Sequence, residues 1–516
     1  MAKIMGLRGK MSRAKRLSEL LRNGEGSAEA IAAPERKPLT YDGLRQHVER
    51  TVGTLNNFGI GRNDTVSIVL PNGAEMASAF VSIAAGATTA PLNPAYRQQE
   101  FEFYLSDLEA RLLIVEAGSE TPAREAAKKL NLAIAELKPD KEVAGLFELS
   151  GEKVGDAANL KGFAEPGDIA LVLHTSGTTS RPKIVPLTQQ NVCASAASIA
   201  AGLALTQEDR CLNIMPLFHI HGLMAAVLSS LFKGGSIFCT PGFNALKFFS
   251  WMKQANPTWY TAVPTMHQTI LDRASRNRDV IEGGRLRFVR SSSASLAPQV
   301  MDALEKTFKA PVIEAYGMTE AAHQMASNPL PPAERKPGAV GVAAGPEVSI
   351  MDEEGILLPH NTIGEVVIRG ANVTSGYRNN PDANATAFTN GWFRTGDQGI
   401  LDKDGYLRLT GRLKEIINRG GEKISPREVD EVLIDHPAVA QAVTFALPHE
   451  KLGEDVAAAL VLKEGTSATE KEIRKFASQR LTDFKVPRKV VFLEEIPKGP
   501  TGKLQRIGLA EKLGLV

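Results

Sequence analysis

The sequence is short of cysteine, carries almost no net charge and lacks any long hydrophobic run. Only Cys193, Cys211 and Cys239 stand among 516 residues. Three cysteines cannot build a disulfide framework, and none lies in a Cys-x-x-Cys pair or at metal-ligand spacing from histidines. They read as small buried thiols of a reduced, intracellular chain. Sixty Lys and Arg against 58 Asp and Glu leave a formal charge of +2, which argues against nucleic-acid binding through bulk charge. No apolar run reaches the roughly 18–20 residues of a membrane-spanning helix; the longest, around 79–85 and 223–232, have the size of core helices. The chain has no secretory apolar region and ends Gly514-Leu515-Val516 rather than Ser-Lys-Leu, so a cytoplasmic location is expected.

What is present is a globular composition, 43% hydrophobic and 23% charged, over a length that calls for more than one domain. Residues 1–22 form a basic leader in which Lys3, Arg8, Lys10, Arg13, Lys15, Arg16 and Arg22 oppose Glu19 alone. Such a run reads as a solvated leading helix, with an organelle-targeting or lipid-surface segment as the alternative.

Between Tyr41 and Pro94 a β-branched run, 64–70, a small-residue helix and a second apolar run, 90–94, make the strand–helix–strand unit of a parallel sheet. Similar strands recur at 111–115, 236–239, 259–263 and 287–291. After Pro337, short strands at 348–351, 364–369 and 406–410 alternate with Gly turns and predict a small antiparallel β subdomain. Beyond Gly411-Arg412 about a hundred residues have the texture of a small α+β domain. The expected fold is α/β: a large domain over 1–411 and a mobile domain over 412–516, hinged near Lys414.

Five clusters carry candidate chemistry. An apolar strand ending at His174 runs into Thr175, Ser176, Gly177, Thr178, Thr179 and Lys183, a set of hydroxyls, backbone N–H groups and a cation. These would cradle phosphate, or form a plain polar hairpin, since a second strand from Ile184 follows and no Walker helix does. Ala315, Tyr316, Gly317, Thr319 and Glu320 follow a strand at 312–313. Tyr316 would stack on a purine, Thr319 bond a phosphate and Glu320 hold Mg²⁺, although each alone reads as a loop residue. Asp397, with Arg412 nearby, is placed to hold ribose hydroxyls; a lone Thr-Gly-Asp otherwise reads as a turn. Gly420, Gly421 and Glu422 permit close approach of a ligand and precede a helix start at Ser425-Pro426. Lys503, on a glycine-flanked loop, would reach a distant site.

In this order and at these separations the five clusters resemble the adenylate-forming superfamily of acyl-CoA synthetases, peptide-synthetase adenylation domains and luciferases. The resemblance spans residues from about Leu39 onward. It implies that a carboxylate attacks the α-phosphorus of Mg·ATP to give an acyl-adenylate and pyrophosphate, and that a thiol, usually coenzyme A, then displaces AMP. It assigns Thr175–Lys183 to pyrophosphate, Thr319 and Glu320 to phosphate and metal, and Asp397 and Arg412 to ribose. Ala294, Ala315, Tyr316 and Gly317 fall to the nucleotide and Lys503 to charge neutralisation. It also assigns Lys414 to the pivot that brings Gly420–Glu422 to the thiol.

Three further segments, 217–223, 290–296 and 316–331, resemble the oxalate–CoA ligases of plants and fungi. Where most relatives read Gly-Gly-Ala, this chain reads Ser292-Ser293-Ala294. That resemblance implies a polar pocket for a small dicarboxylate, with His219, Ser293 and His323 touching oxalate. His219 is equally read as a gate or packing residue, and His323 as a supporting group. The alternatives are ligation of another small, aryl or medium-chain acid, or a stand-alone enzyme loading a carrier protein.

Overall fold

A computed structural model describes residues 14–155, 157–175, 182–497 and 506–516. The chain divides into two compact units: one takes in residues up to Thr175, Ile184–Val348 and Ile368–Ala385, the other Ser349–Val367 and Thr386–Val516.

The first unit holds two large sheets. The nine-stranded one runs, edge to edge, Val342–Ala343, His323–Ser327, Val312–Met318, Phe288–Ser291, Trp259–Ala262, Arg210–Asn213, Ser236–Cys239, Glu29–Ala32 and Leu39–Thr40. Its interior pairs are parallel and its outer pairs antiparallel. The seven-stranded sheet centres on the parallel strands Leu112–Glu116, Thr65–Val69 and Thr88–Pro91. Thr65–Val69 and Ser236–Cys239 are buried at every position, as expected of parallel strands covered on both faces. Aromatic side chains such as Trp259, Tyr260, Phe248 and Phe288 fill the core, each contributing roughly 1.5–3 kcal/mol on burial. The three cysteines are buried and unbridged, and no helix among the described residues is long and apolar enough to cross a membrane.

The leader departs from expectation within its described part. Leu17–Leu20 is a short helix in which Leu17 and Leu20 are fully buried, and the Leu17 N–H donates to Gln189 Oε1 at 3.0 Å. Leu17, Leu20 and Leu21 fall on one helical face, a pattern hidden beneath the surrounding charge; this stretch is docked, not solvated. Residues 1–13 lie outside the described range.

The second unit holds the five-stranded sheet that includes Trp392–Leu401 and Leu407–Arg412, which pair antiparallel. It also holds a second sheet built on the long antiparallel pair Val439–His449 and Gly453–Leu462. Pro426–Ile434 and Glu470–Ser478 bury Val429, Leu433, Ile473 and Ala477 with Ile417, Ile424 and Val456 in one cluster. Ser425 precedes the first of these helices, with Pro426 at its first position. Its hydroxyl does not cap the helix but donates to the Thr410 carbonyl. Arg506 is a half-buried clamp: Nη2 meets Asp430 Oδ2 at 2.5 Å, Nε meets Glu415 Oε2 at 3.2 Å and Nη1 donates to Thr444 O at 2.9 Å.

Three buried histidines make stability depend on acid. Burial pushes His47 and His267 down to about 4 from 6.5, and His221 well below its ordinary value. The unfolded chain therefore binds protons that the folded chain refuses, so stability rises with pH across this window. Urea unfolding should show stability falling as pH is lowered from 6.5 to 4, by up to about 4 kcal/mol per pH unit if all three histidines contribute. A flat stability profile over that range would contradict their neutral burial.

Candidate active site

The hydroxyl-rich segment is flanked by a hairpin. Ile169–His174 pairs antiparallel with Ile184–Thr188, and Thr175 and Lys183 at the two ends are half-buried. Ser176, Gly177, Thr178 and Thr179 lie outside the described residues, as does Lys503.

The second cluster is not a loop. Val312–Met318 is one continuous strand, because it pairs antiparallel with His323–Ser327 through Met318↔His323. Ala315 and Tyr316 are buried within it. Gly317 is required there, since a Cβ would lie 1.8 Å from the His323 carbonyl oxygen. Thr319–Ala321 forms a single 3₁₀ turn. Glu320 is buried in that turn; its Oε1 accepts from Tyr377 Oη at 2.9 Å and its backbone carbonyl from Thr374 N at 2.7 Å. A carboxylate oriented in this way suits Mg²⁺, which takes one or two carboxylates and completes its shell with phosphate oxygens and water. Among the described residues no group of three or more His, Cys, Asp or Glu side chains is arranged to hold a metal.

Beside this hairpin, polar side chains converge at the carboxyl ends of parallel strands, where open α/β sheets bind ligands. Thr261 and Arg290 are register neighbours on adjacent strands. His221 opens a π-helix, His221–Leu228, a wide turn that is frequent at functional sites. His221 Nδ1 lies 2.9 Å from Ser293 Oγ, and Nε2 lies 2.7 Å from Thr261 Oγ1. Arg290 Nη1 is 3.3 Å from His221 Nε2; its Nη2 is 3.1 Å from His323 Nε2 and 3.2 Å from Gln324 Oε1. The two imidazoles stack at 4.9 Å, with planes 20° apart. His219 is half-buried against the Phe218 ring, near enough to His221 to add to its depressed basicity.

The electrostatics of this cluster are unusual. Arg290 is 0% exposed, and every partner it bonds among the described residues is neutral. Burial lowers its pKa to about 9, which still leaves it charged at neutral pH. Burial, reinforced by His323 and Arg290, keeps His221 neutral. Two backbones are strained at the same place: Ser293 has φ +73° and His323 has φ +91°. Bulky residues rarely adopt such values, which cost about 1–3 kcal/mol each. Ser292 points elsewhere, its hydroxyl donating to the Ala315 carbonyl at 2.8 Å, while Ala294 is exposed.

In the second unit, Thr395-Gly396-Asp397 is strand rather than turn. It lies inside Trp392–Leu401, with Gly396 at φ +73°. Asp397 is buried and stands opposite Arg412, whose Nε donates to its Oδ1 at 2.9 Å. Gly420 and Gly421, at φ +59° and +95°, form the two-residue turn between Ile417–Arg419 and Glu422–Ile424, the geometry of a type I′ hairpin. Glu422 is exposed at the tip, and Lys414 lies in the 3₁₀ turn Leu413–Glu415.

The structure thus gathers Tyr316, Gly317, Thr319, Glu320, Ser293, His219 and His323 about one strand-end region of the first unit, and pairs Asp397 with Arg412 in the second. The sequence reading gave no role to Arg290, His221, Thr261, Gln324 or Tyr377. One signal was available: Arg290 interrupts the apolar run Phe288-Val289, and a charge inside a parallel-sheet strand is seldom solvated.

Comparison with known proteins identifies the family. Residues 21–378 match the family model described as AMP-binding enzyme, and residues 428–503 that of the AMP-binding enzyme C-terminal domain. The chain is 48% identical over 484 residues to an oxalate–CoA ligase of Arabidopsis thaliana, covering 92% of this chain and 94% of that protein. It is 43% identical to an oxalate–CoA ligase of Saccharomyces cerevisiae, covering 87% of each. Among solved structures, ATP-bound MatB from Rhodopseudomonas palustris superposes with a TM-score of 0.87 at 27% identity, covering 97% of this chain and 99% of that one. The family match takes in well over half of the chain and its relatives span nearly all of it: this protein is a member of the AMP-binding enzyme family.

Proposed function

We propose that the protein is an ATP-dependent acid–CoA ligase that converts oxalate to oxalyl-CoA, releasing AMP and pyrophosphate. The observation that carries this reading is the buried Arg290 cation, surrounded by His221, His323, Gln324 and Thr261 with no carboxylate bonded to it among the described residues. A fatty acyl chain would gain nothing from such surroundings. A second carboxylate would gain a great deal, because a buried anion needs donors and an opposing charge. The oxalate–CoA ligases among its relatives support the same substrate.

The first half-reaction drives an anionic nucleophile against a polyanion, so the chain must offset repulsion and orient the reacting carboxylate. Ser293 and His323 hold oxalate on this reading, with His219 at the edge of the pocket. Glu320, fixed by Tyr377, would hold Mg²⁺, which supplies charge neutralisation on the phosphate oxygens when bound. Thr175–Lys183 and Thr319 serve the phosphates, Tyr316 the base, and Asp397 with Arg412 the ribose. Residues 412–516 act as a lid pivoting at Lys414, exchanging Lys503 for Gly420–Glu422 as adenylation gives way to attack by the CoA thiol. A rotation at a few loop residues lets one pocket serve two steps.

A panel of C2–C6 diacids, benzoate and octanoate, assayed by AMP release with ATP and CoA, should place oxalate ahead of the monoacids by about 10²-fold or more in kcat/KM. Preference for octanoate, or AMP release indifferent to CoA, would overturn the assignment. Ser293→Gly relieves a left-handed backbone and should leave the fold as stable or more so, by about 1 kcal/mol. Loss of the hydroxyl should nevertheless cut oxalate kcat/KM by roughly 10–100-fold, an effect shared by His323→Ala, with the KM for ATP little changed. Lys503→Ala should abolish adenylation while sparing thioester formation from supplied oxalyl-adenylate; equal loss of both half-reactions would remove Lys503 from its role.

A further inference from the structure

We propose that Arg290 is a positioning residue that locks His221 and His323 as neutral Nδ1–H tautomers and thereby aims the Ser293 hydroxyl at the acyl site as a donor. The inference rests on the acid–CoA ligase reading for its substrate, but not for its geometry.

A guanidinium only donates hydrogen bonds. Arg290 Nη2 lies 3.1 Å from His323 Nε2, so that nitrogen must present its lone pair, and the ring proton sits on Nδ1. At His221 the same demand operates through Nη1 at 3.3 Å. A proton on His221 Nε2 would point at the cation, whereas a lone pair there also accepts the Thr261 hydroxyl at 2.7 Å. His221 Nδ1–H then donates to Ser293 Oγ at 2.9 Å. With its oxygen already accepting, Ser293 turns its own O–H outward. Arg290, His221 and Ser293 become a chain of donors running in one direction, each bond polarising the next.

Two observations require the rings to be neutral. They stack at 4.9 Å and 20°, a face-to-face arrangement that two imidazolium ions would not tolerate, and they share one buried cation. Burial keeps the His221 basicity low in the same sense. The strained Ser293 and His323 backbones mark the two residues whose side chains must be aimed. The charge of the chain's origin is left for a substrate of opposite sign, which makes Arg290 a determinant of selectivity for doubly charged small acids without itself reaching them.

The test uses ¹⁵N-histidine-labelled full-length protein without substrate, with His221 and His323 signals assigned through His221→Gln and His323→Gln. Both rings should show the Nδ1–H pattern at pH 7, and Arg290→Met should redistribute them toward Nε2–H. In kinetics, Arg290→Met should lower oxalate kcat/KM by about 30-fold or more with the KM for ATP unchanged within a few-fold. Arg290→Lys keeps the charge but cannot bridge both rings, and should restore only part of the loss. Nε2–H rings in the wild-type protein, or full recovery by lysine, would overturn the lock, and neither outcome depends on how the methionine variant folds. If the lock is present but oxalate is not ligated, the functional reading fails and the positioning role stands.

Discussion

A guanidinium buried with no bonded counter-anion among the described residues is the constraint around which the first unit's polar centre is arranged. The effective penalty for removing one such ion from water is several kcal/mol. Arg290 recovers part of it through neutral acceptors: two imidazole nitrogens, an amide oxygen and a hydroxyl. None of these supplies the missing charge. The residues that can reach the guanidinium are fixed by the parallel sheet, because register places Thr261 beside it and the hairpin after Val312–Met318 brings back His323 and Gln324. The fold therefore concentrates positive potential where strand ends open to ligand.

Backbone strain, which also occurs at scattered turns elsewhere, clusters in the same neighbourhood. Ser293, Ala322 and His323 all have positive φ, and Gly317 leaves room for the His323 carbonyl. A glycine at 293 would be at ease, so a serine there is held against its conformational preference. Strain of this kind persists only where the surrounding structure over-determines it. Here the His221 ring and the register of the hairpin do so. The π-helix beginning at His221 contributes in the same way, widening the helical turn at the residue that must face Ser293.

Much of the architecture was legible in the residues. Strands at 236–239, 259–263 and 287–291 are visible as β-branched and aromatic runs, and the structure places them in one sheet within a residue or two of those limits, the last two side by side. Pairing across a long separation was not legible. Glu314–Met318 looks like a loop when read locally, because a glycine and a hydroxyl interrupt it, and becomes strand only through its antiparallel partner. Thr395-Gly396-Asp397 hides its strand character for the same reason. Of the acyl centre, His219, Ser293 and His323 were visible as polar residues in motif positions. Arg290 and His221 fall inside the same segments but carry no local signal of a role, since their importance lies in which atoms meet across strands, and spacing along a chain does not encode that.

The Arg506 clamp has a bearing on how the second unit would articulate. Glu415, one residue beyond Lys414, is tied through Arg506 to Asp430 and Thr444, so it belongs mechanically to the body that follows. On the proposed pivot a swivel would be taken up at Lys414 or earlier, and it would strain the contacts that reach back across that point: Ser425 to the Thr410 carbonyl, Ile416 N–H to the Arg412 carbonyl and the Lys423–Glu353 ion pair. Such a joint would be a latch with few pins, each a polar contact that water can replace.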